Sequence, residues 1–506
     1  MSIQRYPIGL QDFSEVITRG CVYVDKTHFV HQLITTHKYY FLSRPRRFGK
    51  SLLVSTFDYL FRNKKELFKG LYIYDKWEFE EYPVIKISFA NIGYREIPLE
   101  EAILKHLKSI AINYKIEIDL DSASIAFKDL IHQLNQKFNQ KVVVLIDEYD
   151  KPLIDYLDKE NLHKAIENRA ILKSFYSVLK DADAHLKMVF ITGVSKFSQV
   201  SIFSDLNNLN DITTQDTFNE LCGISQKELE SYFSEELKNI DAEKVKKWYN
   251  GYRWNVNGDT VYNPFSILNF FNRNGEYVNF WYSTGTPTFL MKMCKEQKLF
   301  ELSNITLSQT AMNAFDVDNL KILPVLFQTG YLTIRSYNDL LGVYHLDYPN
   351  SEVKSSFVEG LLEVYSDSQE PISSALLHQL YLALTECDET ALEKGINLAF
   401  ANIPYDLWIN DKERYYHTIL HLLFTLLGVS ITSEIHTKKG RADMIIELNN
   451  HVYCMEFKLD KSAEEAINQI NDRGYLDKYV GTEKSIHKIG INFSSKDKKV
   501  EEIIWV

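Results

Sequence analysis

The 506-residue chain lacks the features that mark several large classes of protein. Its 5 cysteines are scattered and form no C-x-x-C pair, which favours a reducing compartment over a disulfide framework. No basic segment followed by an apolar run opens the sequence, and no later stretch approaches the roughly 20 apolar residues of a membrane span. Low-complexity tracts and internal repeats are also missing. We therefore expect a globular cytoplasmic protein without a membrane partner.

An excess of positive charge is missing as well. The net charge of -11 argues against a protein that coats nucleic acid by general electrostatics. Any nucleic acid would have to meet a confined basic groove. The composition, 45% hydrophobic and 25% charged, is that of a globular chain, and its length predicts two or three domains.

The first part of the sequence alternates short strands with helices. Apolar runs rich in β-branched residues are separated by stretches with helical spacing, such as 100–114 and 165–180. Strands that are buried on both faces have this composition in a parallel sheet covered by helices. We therefore predict an α/β domain with a parallel sheet over residues 1–224. Its predicted strands are 39–42, 84–89, 142–146 and 188–192.

Two further regions follow. Residues 225–370 are mainly helical and aromatic, and we interpret them as a lid or connecting domain. The polar run 366–370, followed by the helix-breaking Pro371, predicts a linker. Residues 371–506 predict a smaller α/β domain in the order helix, three strands, helix, strand. These elements are expected at 413–427, 429–434, 442–448, 451–457, 463–479 and 487–493, with Asn449 and Asn450 as a hairpin turn.

A turn between the first strand and a helix ends in Gly49, Lys50 and Ser51, as the phosphate-binding motif G-x-x-x-x-G-K-[ST] ends. In such loops backbone N–H groups and the helix N-terminus surround the phosphates, the lysine neutralises them, and the hydroxyl holds Mg²⁺. The sequence departs from the motif at Arg44, which replaces the first glycine, and Pro45 removes one N–H donor. A basic surface turn is the alternative interpretation.

Two other predicted strands end in polar residues. The strand 142–146 runs directly into Asp147 and Glu148, at the edge where open α/β sheets bind ligands. We predict that Asp147 reaches the metal ion and that Glu148 orients or deprotonates the attacking water. Acidic residues after a strand also serve as helix caps, which is the alternative. Thr192, at the end of a further strand, is a candidate γ-phosphate sensor or a member of a capped turn.

A second group of reactive side chains lies in the last region. Asp443 opens one predicted strand, and Glu456 and Lys458 share one face of the next, because side chains alternate along a strand. Two carboxylates and a lysine would then converge, and oxygen ligands of this kind suit Mg²⁺ or Mn²⁺. The metal would activate water against a phosphodiester, while Lys458 orients the nucleophile or holds the developing charge. A structural salt bridge is the alternative.

Two residues on the flanking predicted helices extend this group. Glu413 is a candidate for a further metal ligand, and Gln469 is a candidate for contact with the site or with the nucleic-acid backbone. Both residue types usually lie on solvated helix faces, so a purely structural position is the alternative for each.

The segments that carry these residues resemble the AAA-ATPase-like family of uncharacterised bacterial proteins, whose C-terminal companion is a PD-(D/E)XK nuclease-superfamily domain. The resemblance covers most of the chain, and the loss of the first loop glycine looks like a family trait. It implies a P-loop NTPase fold, a restriction-endonuclease-like C-terminal domain, and nucleotide binding that includes Arg46 and Arg47. The matching segments are Tyr23-Val24-Asp25-Lys26-Thr27, Arg44-Pro45-Arg46-Arg47-Phe48-Gly49-Lys50-Ser51, Asp147-Glu148-Tyr149-Asp150-Lys151-Pro152, Thr192-Gly193-Val194-Ser195, Asn250-Gly251-Tyr252, Tyr262-Asn263-Pro264, Thr284-Gly285-x-Pro287, Asp443 and Glu456-x-Lys458.

These observations together predict an ATP-binding and ATP-hydrolysing protein coupled to a Mg²⁺-dependent nuclease acting on DNA or RNA, in defence or mobile-element biology. Binding or hydrolysis of ATP would change how the C-terminal site is presented, through the helical middle region. The alternative is a nucleotide-dependent switch or scaffold whose nuclease-like domain binds nucleic acid or a protein without cutting. The sequence leaves open whether the substrate is DNA or RNA, whether a particular nucleotide sequence is preferred, and whether the protein forms a homo-oligomer.

Overall fold

The chain forms two compact units. The first comprises residues 1–285 and 302–354, and the second comprises 286–301 and 355–506. None of the described helices is long and apolar enough to cross a membrane. The computed structural model describes residues 5–196, 202–203, 206, 208–281, 288–313, 321–366, 374–401, 413–427, 430–437 and 440–506.

Some of the sequence predictions fall outside the described residues. They are the linker around Pro371, the first residue of the strand expected at 429–434, and the segment Thr284-Gly285-x-Pro287. The three predicted domains, 1–224, 225–370 and 371–506, stay predictions. The α/β class itself is confirmed, with a parallel sheet near the N-terminus, helices in the middle and a mixed sheet near the C-terminus.

A five-stranded parallel sheet organises the first unit. Its strands are β1 (Tyr39–Ser43), β2 (Val84–Ser88), β3 (Val142–Asp147), β4 (Leu186–Gly193) and β5 (Asn210–Asp211). Their order in the sheet is β2-β3-β4-β1-β5. Every residue of β1 and β3 is buried, as expected for strands covered on both faces. The register pairs Ser43 with Gly193 and Ser88 with Asp147, so the carboxyl ends of four strands meet at one edge.

Within the described residues, seven helices accompany this sheet in sequence. They are α1 (Phe13–Thr18), α2 (Thr27–Thr36), α3 (Lys50–Phe61), α4 (Leu99–Asn113), α5 (Ala123–Phe138), α6 (Lys151–Ile154) and α7 (Leu162–Asp181). The helices predicted to begin at Lys50 and to span 100–114 and 165–180 are confirmed to within a few residues. Helix α5 was not predicted. Its start is marked by Ser122, whose hydroxyl accepts a hydrogen bond from the Ile125 N–H, as N-cap residues do.

The middle of the chain is mainly helical, as predicted, but it also contains small sheets. Its helices are α8 (Gln226–Tyr232), α9 (Ala242–Tyr249), α10 (Pro264–Asn272), α11 (Thr288–Glu296), α12 (Gln309–Asn313) and α13 (Ile322–Gln328). Its strands are β6 (Ile224–Ser225), β7 (Val261–Tyr262), β8 (Ile305–Ser308), β9 (Thr333–Asn338) and β10 (Val343–Asp347). Strands β8, β10 and β9 form an antiparallel sheet that the sequence did not reveal. Their alternation is obscured because few of their residues are buried.

The aromatic residues of the middle region form a core of their own in the first unit. Rings on α9 and α10 pack against each other, with Tyr249 5.4 Å from Phe270 between ring centroids. Phe233 stacks on Phe271 at 5.0 Å. Burial of several rings explains the aromatic composition without a ligand.

A mixed five-stranded sheet organises the second unit. Its elements are α14 (Ser351–Ser366), α15 (Ser374–Thr385), α16 (Glu389–Ala401), α17 (Glu413–Leu426), β11 (Ser430–Thr437), β12 (Gly440–Leu448), β13 (His451–Leu459), α18 (Ala463–Arg473), β14 (Ser485–Ser494) and β15 (Lys499–Trp505). The sheet order is β11-β12-β13-β14-β15, with β13 and β14 parallel and the other pairs antiparallel. Helix α14 begins in the first unit.

Two details of the predicted C-terminal order need correction. The helix expected over 463–479 ends at Arg473, because Gly474 adopts a left-handed conformation (φ 61°) that terminates it, and a separate turn of 3₁₀ helix follows at Asp477–Tyr479. An additional strand, β15, follows the predicted last strand. The hairpin turn at Asn449 and Asn450 is confirmed by the pairing of Leu448 with His451.

Candidate functional site

The loop between β1 and α3 has the geometry of a phosphate-binding turn. Gly49 lies in the left-handed region (φ 88°), which a glycine adopts without strain, and helix α3 begins at the next residue. Lys50 is only 6% exposed, and its ammonium group donates hydrogen bonds to the carbonyl oxygens of Arg44 at 2.8 Å and Pro45 at 2.9 Å. The lysine therefore bridges the two ends of the loop. Ser51, half-buried, follows on the first turn of the helix.

Arg44, which stands where the motif has its first glycine, is an anchor of the loop. Its guanidinium is fully buried and donates hydrogen bonds to the carbonyl oxygens of Ser43, Thr213 and Phe218 at 2.8–2.9 Å. The same group stacks on the Trp254 ring, 4.1 Å from its centroid. The departure from the motif thus supplies contacts that hold the loop to the chain around it.

The two acidic residues after β3 have different surroundings. Asp147 is buried and accepts a 2.6 Å hydrogen bond from the Thr192 hydroxyl. Glu148 has a left-handed backbone (φ 53°), and burial together with the charge of Asp147 raises the pKa of its carboxyl. Burial lowers the pKa of Lys50, and the charges of Asp147 and Glu148 oppose that shift. The lysine and the acidic pair are therefore electrostatic neighbours.

Asp150 ties the ends of β3 and β4 together. Its buried carboxylate accepts hydrogen bonds from the backbone N–H groups of Val194 and Ser195, at 2.9 and 2.7 Å, and from the Ser195 hydroxyl at 2.8 Å. No role for Asp150 was predicted from the sequence, although this residue belongs to the segment that resembles the family. The acidic run after a buried strand was the signal that could have found it.

A cleft of about 330 Å³ opens beside the loop. Of the predicted nucleotide-binding residues, it is lined by Arg46, Arg47, Gly49, Lys50, Ser51 and Glu148. Asp147 and Thr192 are bonded to each other and are not among its lining residues. The cleft is completed by side chains that the sequence did not single out, in the segment 7–11 and on α10, where the Phe265 ring lies 4.7 Å from the Arg47 guanidinium.

A smaller apolar cavity of about 100 Å³ shares five residues with this cleft, among them Gly49, Leu52 and Pro264. The remainder of its wall is formed by Val22, Tyr23, Val24, Lys26, Phe48, Leu53, Leu221, Cys222, Gly223, Ile224 and Phe233. Only Lys26 among these carries a charge at neutral pH. A charged cleft and an apolar cavity therefore adjoin each other.

In the second unit, β12 and β13 bring the predicted carboxylates together. The register that pairs Met444 with Met455 places Asp443 opposite Glu456. The Asp443 carboxylate accepts a 2.9 Å hydrogen bond from the Phe457 N–H, and the Asp443 N–H donates to Glu456 Oε2 at 3.4 Å. The Lys458 ammonium group donates to Glu456 Oε1 at 3.3 Å. The three side chains thus converge on one point, as the alternation along β13 predicted.

The surroundings of Glu456 in this cluster disfavour the charged form of its carboxyl. Glu456 is 1% exposed, and burial raises the pKa of its carboxyl to about 8, with the charge of Asp443 adding to the shift and Lys458 opposing it. Two neighbouring carboxylates repel each other unless a cation or a proton lies between them. Hard oxygen donors with this need for positive charge fit a divalent cation such as Mg²⁺ or Mn²⁺.

The flanking helices contribute unequally. The Gln469 amide on α18 donates to Glu456 Oε1, so this predicted residue joins the cluster, and it also contacts the Tyr475 hydroxyl at 3.3 Å. Glu413 begins α17, and its side chain lies outside the described residues. The sequence missed His417 on the same helix, whose Nε2 is 2.7 Å from the Asp443 carbonyl oxygen. Its only signal was its place in a predicted amphipathic helix.

Comparisons with known proteins agree with the two-part organisation. Residues 7–203 match a family model described as predicted AAA-ATPase, and residues 411–503 match a model of the PD-(D/E)XK nuclease superfamily. An uncharacterised protein encoded in the vnfD 5' region of Azotobacter chroococcum mcd 1 is 38% identical over 516 residues, which cover 99% of this chain and 98% of that protein.

One solved structure also matches. It is a Signal Transduction ATPase with Numerous Domains (STAND) protein with a tetratricopeptide repeat sensor from Pyrococcus horikoshii, 13% identical, with a TM-score of 0.24 over 80% of this chain and 58% of that one. The near full-length relative and the two matched regions agree with the family inferred from the sequence segments. The chain belongs to the AAA-ATPase-like family that carries a C-terminal PD-(D/E)XK nuclease-superfamily domain.

Proposed function

We propose that the first unit binds and hydrolyses ATP as its Mg²⁺ complex. The observation that carries this proposal is the cleft beside the loop, where Lys50, Ser51 and Glu148 line one cavity. Lys50 and the N-terminus of α3 would neutralise the β- and γ-phosphates, and Arg46 and Arg47 would add positive charge at the rim. The Ser51 hydroxyl and Asp147 would hold the metal ion.

Glu148 and Thr192 complete the proposed site. Glu148 would take a proton from the attacking water, because its raised pKa makes it a stronger base than an ordinary carboxylate. Thr192, through its bond to Asp147, would sense whether the γ-phosphate is present. The adjoining apolar cavity would receive the base of the nucleotide, since aromatic and aliphatic walls suit a purine ring.

The test of this half is ATP binding and hydrolysis by the full-length protein. Lys50→Ala should weaken binding, and Glu148→Gln should preserve binding while lowering hydrolysis by about 10² or more. Lys69→Ala and Glu78→Gln, which change exposed residues of the same types, are the matched controls. If Lys50→Ala and Glu148→Gln hydrolyse ATP as fast as the wild type, the assignment fails.

For the second unit, we propose a metal-dependent nuclease that cleaves phosphodiester bonds in DNA or RNA. The observation that carries this is the convergence of Asp443, Glu456 and Lys458 at the end of the β12–β13 hairpin. The two carboxylates would hold Mg²⁺, or Mn²⁺ in its place, and the ion when bound would supply an activated water.

Each residue of this cluster has a separate task. Asp443 is oriented by the Phe457 N–H, so its second oxygen is available to the ion. Lys458 would release Glu456 and hold the negative charge that develops on the phosphate. Gln469 would then keep Glu456 in place. Glu413, at the start of α17, stays a candidate for a further ligand.

Plasmid nicking in the presence of Mg²⁺ tests this half. Glu456→Gln and Lys458→Ala should each abolish nicking, whereas Glu464→Gln, at an exposed glutamate on α18, should cut at the wild-type rate. The loss should be the same with and without ATP, because it lies in the chemical step. Nicking that survives both site substitutions would contradict the proposal.

A second candidate function is a nucleotide-dependent switch or scaffold that binds nucleic acid or a protein without cutting. The observation that favours it is that Glu456 Oε1 already accepts hydrogen bonds from Lys458 and Gln469. Wild-type protein that hydrolyses ATP and binds DNA or RNA, but cuts neither with Mg²⁺ or Mn²⁺, would select this function. Protection of cells against phage or plasmids, compared between wild type and Lys50→Ala, would test the proposed role in defence or mobile-element biology.

A further inference from the structure

A cluster of three metal-ligating side chains lies in the second unit. The Cys387 sulfur and one ring nitrogen of each of His451 and His487 all lie within 4.8 Å of one another. The two nitrogens are 2.8 Å apart, and the sulfur is 4.0 Å from His487 Nε2. His451 is the first residue of β13, whereas Glu456 and Lys458 lie near the opposite end of that strand.

The sheet register explains why the two histidines meet. In the parallel pair β13–β14, Tyr453 is the partner of His487, and His451 shares a face with Tyr453 because side chains alternate along a strand. The Tyr453 ring stacks against His487 with centroids 4.8 Å apart. The histidine pair is therefore fixed by two neighbouring strands.

Cys387 reaches the histidines from an unusual backbone position. Helix α15 ends in a Schellman motif, with the Asp388 N–H donating to Ala383 O at 2.9 Å and the Cys387 N–H to Leu384 O at 3.3 Å. Cys387 occupies the left-handed position of that motif (φ 54°), where glycine or asparagine is usual. Backbone strain at a residue that also faces two histidines points to a role for its thiol.

We propose that Cys387, His451 and His487 form a site for a Zn²⁺-class transition metal ion, separate from the carboxylate cluster. A thiolate and two imidazoles are the ligands such ions prefer, and tetrahedral coordination needs separations of about 3.3 Å between two nitrogens and about 3.6 Å between nitrogen and sulfur. To reach these separations the two nitrogens must move apart from 2.8 Å, and the sulfur must approach His487 Nε2 from 4.0 Å and the His451 ring from a distance of at most 4.8 Å. Cys387 is exposed, so the ion can enter and a fourth position can be taken by water.

The proton balance of this site involves Trp505. The Trp505 indole N–H donates to His487 Nδ1 at 3.2 Å, and an indole can only donate, so without metal the ring proton of His487 lies on Nε2. An ion bound at Nε2 requires that the ring proton be on Nδ1 instead. Trp505 must then turn away, and Cys387 loses its thiol proton to solvent. Metal binding should therefore release one proton and change the fluorescence of Trp505.

Titration of the full-length protein with Co²⁺ tests the proposal directly, because a thiolate ligand gives a charge-transfer absorption band that carboxylate ligands do not. We expect the band in the wild type and in Cys21→Ser, which removes a half-buried thiol elsewhere. Cys387→Ser should lose the band. His487→Ala should weaken Zn²⁺ affinity, measured by chelator competition, by more than the roughly 10- to 100-fold that loss of an outer-shell partner costs.

Two further variants separate metal binding from a structural role. Cys387→Gly should keep or raise the metal-free melting temperature, because glycine relieves the left-handed backbone, and it should lose the rise in melting temperature that Zn²⁺ causes in the wild type. Trp505→Phe should keep the Co²⁺ band, bind more tightly and lose the fluorescence change. A wild type without the thiolate band, or a band that survives Cys387→Ser, overturns the proposal.

Discussion

The two candidate sites bury charge in opposite ways. In the first unit the charged groups are hydrogen-bonded to neutral partners. Arg44 and Lys50 donate to backbone carbonyl oxygens, and Asp147 accepts from the Thr192 hydroxyl. In the second unit Glu456 is bonded within its own cluster, with Lys458 and Gln469 both donating to it, while the Asp443 carboxylate accepts from a backbone N–H.

From this difference we expect the loop of the first site to keep its shape without a ligand. In the second site we expect the charge of each group to depend on its neighbours. Anchoring by the backbone keeps a loop in shape whether or not a ligand is present, and the cost of removing an anchor falls on stability. In a cluster whose members bond to each other, the protonation of one group depends on the charge of its neighbours; burial raises the pKa of Glu456, and the charge of Asp443 adds to that shift. We therefore expect substitutions to affect stability in the first site and chemistry in the second.

The largest effect is expected at the buried arginine of the first site. Arg44→Ala leaves three carbonyl oxygens without their donor and removes the stacking on Trp254, so the free energy of unfolding should fall on the order of 4 kcal/mol. Arg47→Ala, at an exposed arginine of the same loop, is the control and should change it by no more than about 1 kcal/mol, because it loses only the contact with the Phe265 ring. Urea unfolding of both variants measures this difference. Equal midpoints for the two variants would show that Arg44 does not anchor the loop.

The next effect concerns a buried glutamate of the first unit. Glu352 accepts hydrogen bonds from the Ser266 hydroxyl and the Trp281 N–H, and burial raises the pKa of its carboxyl from 4.5 to about 7. The folded state therefore holds a proton that the unfolded state releases near pH 4.5. Stability should be lost as the pH rises from about 4.5 to about 7, by about 3 kcal/mol in total.

Glu352→Gln should abolish this component, because an amide does not titrate. Urea unfolding at pH 5 and pH 8 should show a smaller loss in the variant than in the wild type. Glu230→Gln, at an exposed glutamate on α8, should keep the wild-type loss. A variant that loses as much stability as the wild type would show that Glu352 ionises normally.

A pair of glycine substitutions compares the two sites more closely. A Cβ added at Gly193 would lie 2.8 Å from Asp150 Oδ1, and one added at Gly490 would lie 3.0 Å from Ile467 Cγ1 and would overlap the Ala463 carbonyl oxygen. Gly193→Ala and Gly490→Ala should each lower the free energy of unfolding by about 2 kcal/mol. Gly193→Ala should also slow ATP hydrolysis, and Gly490→Ala should slow phosphodiester cleavage by moving α18.

Each glycine variant is the control for the other. Stability can be followed by urea unfolding and the two activities by separate assays on one preparation. If either alanine variant unfolds at the same urea concentration as the wild type, the glycine at that position is not closely packed as described.

The smallest effect on stability is expected at the second site. At pH 7 the raised pKa of Glu456, about 8, keeps most of its carboxyl protonated, and a glutamine has nearly the same shape and charge. Glu456→Gln should therefore change the free energy of unfolding by no more than about 0.5 kcal/mol while it abolishes cleavage. Glu456→Ala should cost about 2 kcal/mol, because Lys458 and Gln469 lose their acceptor. Equal stability losses in both variants would contradict the conclusion that the Glu456 carboxyl is protonated at pH 7.

Much of the fold could be predicted from local pattern. Strands β1, β3 and β4 are continuous apolar runs, and such runs are buried wherever they lie in the chain. Strands β8, β9 and β10 were missed because few of their residues are buried and the buried ones do not alternate with exposed ones along the strand. The end of α18 was misplaced because the apolar spacing continues past Gly474, and only the backbone conformation of that glycine ends the helix.

The residues of the candidate sites also divide into those that local pattern could predict and those that it could not. The order of residues placed Lys50 beside Ser51 and Glu456 two positions from Lys458, so periodicity alone could group them. The segment 7–11, Phe265 and His417 lie far along the chain from the residues they accompany, and no spacing rule connects them.

Charge, hydroxyl groups and strand periodicity are local properties, so the amino-acid order alone was enough to select candidate residues for binding phosphate and metal. Which of these candidates lie next to each other depends on how distant segments pack. Pairing of β12 with β13 set Asp443 against Glu456, and pairing of β13 with β14 set His451 against His487. The physical reason is that burial and mutual approach fix the protonation and hydrogen bonding of these groups, and both arise only when distant segments pack together.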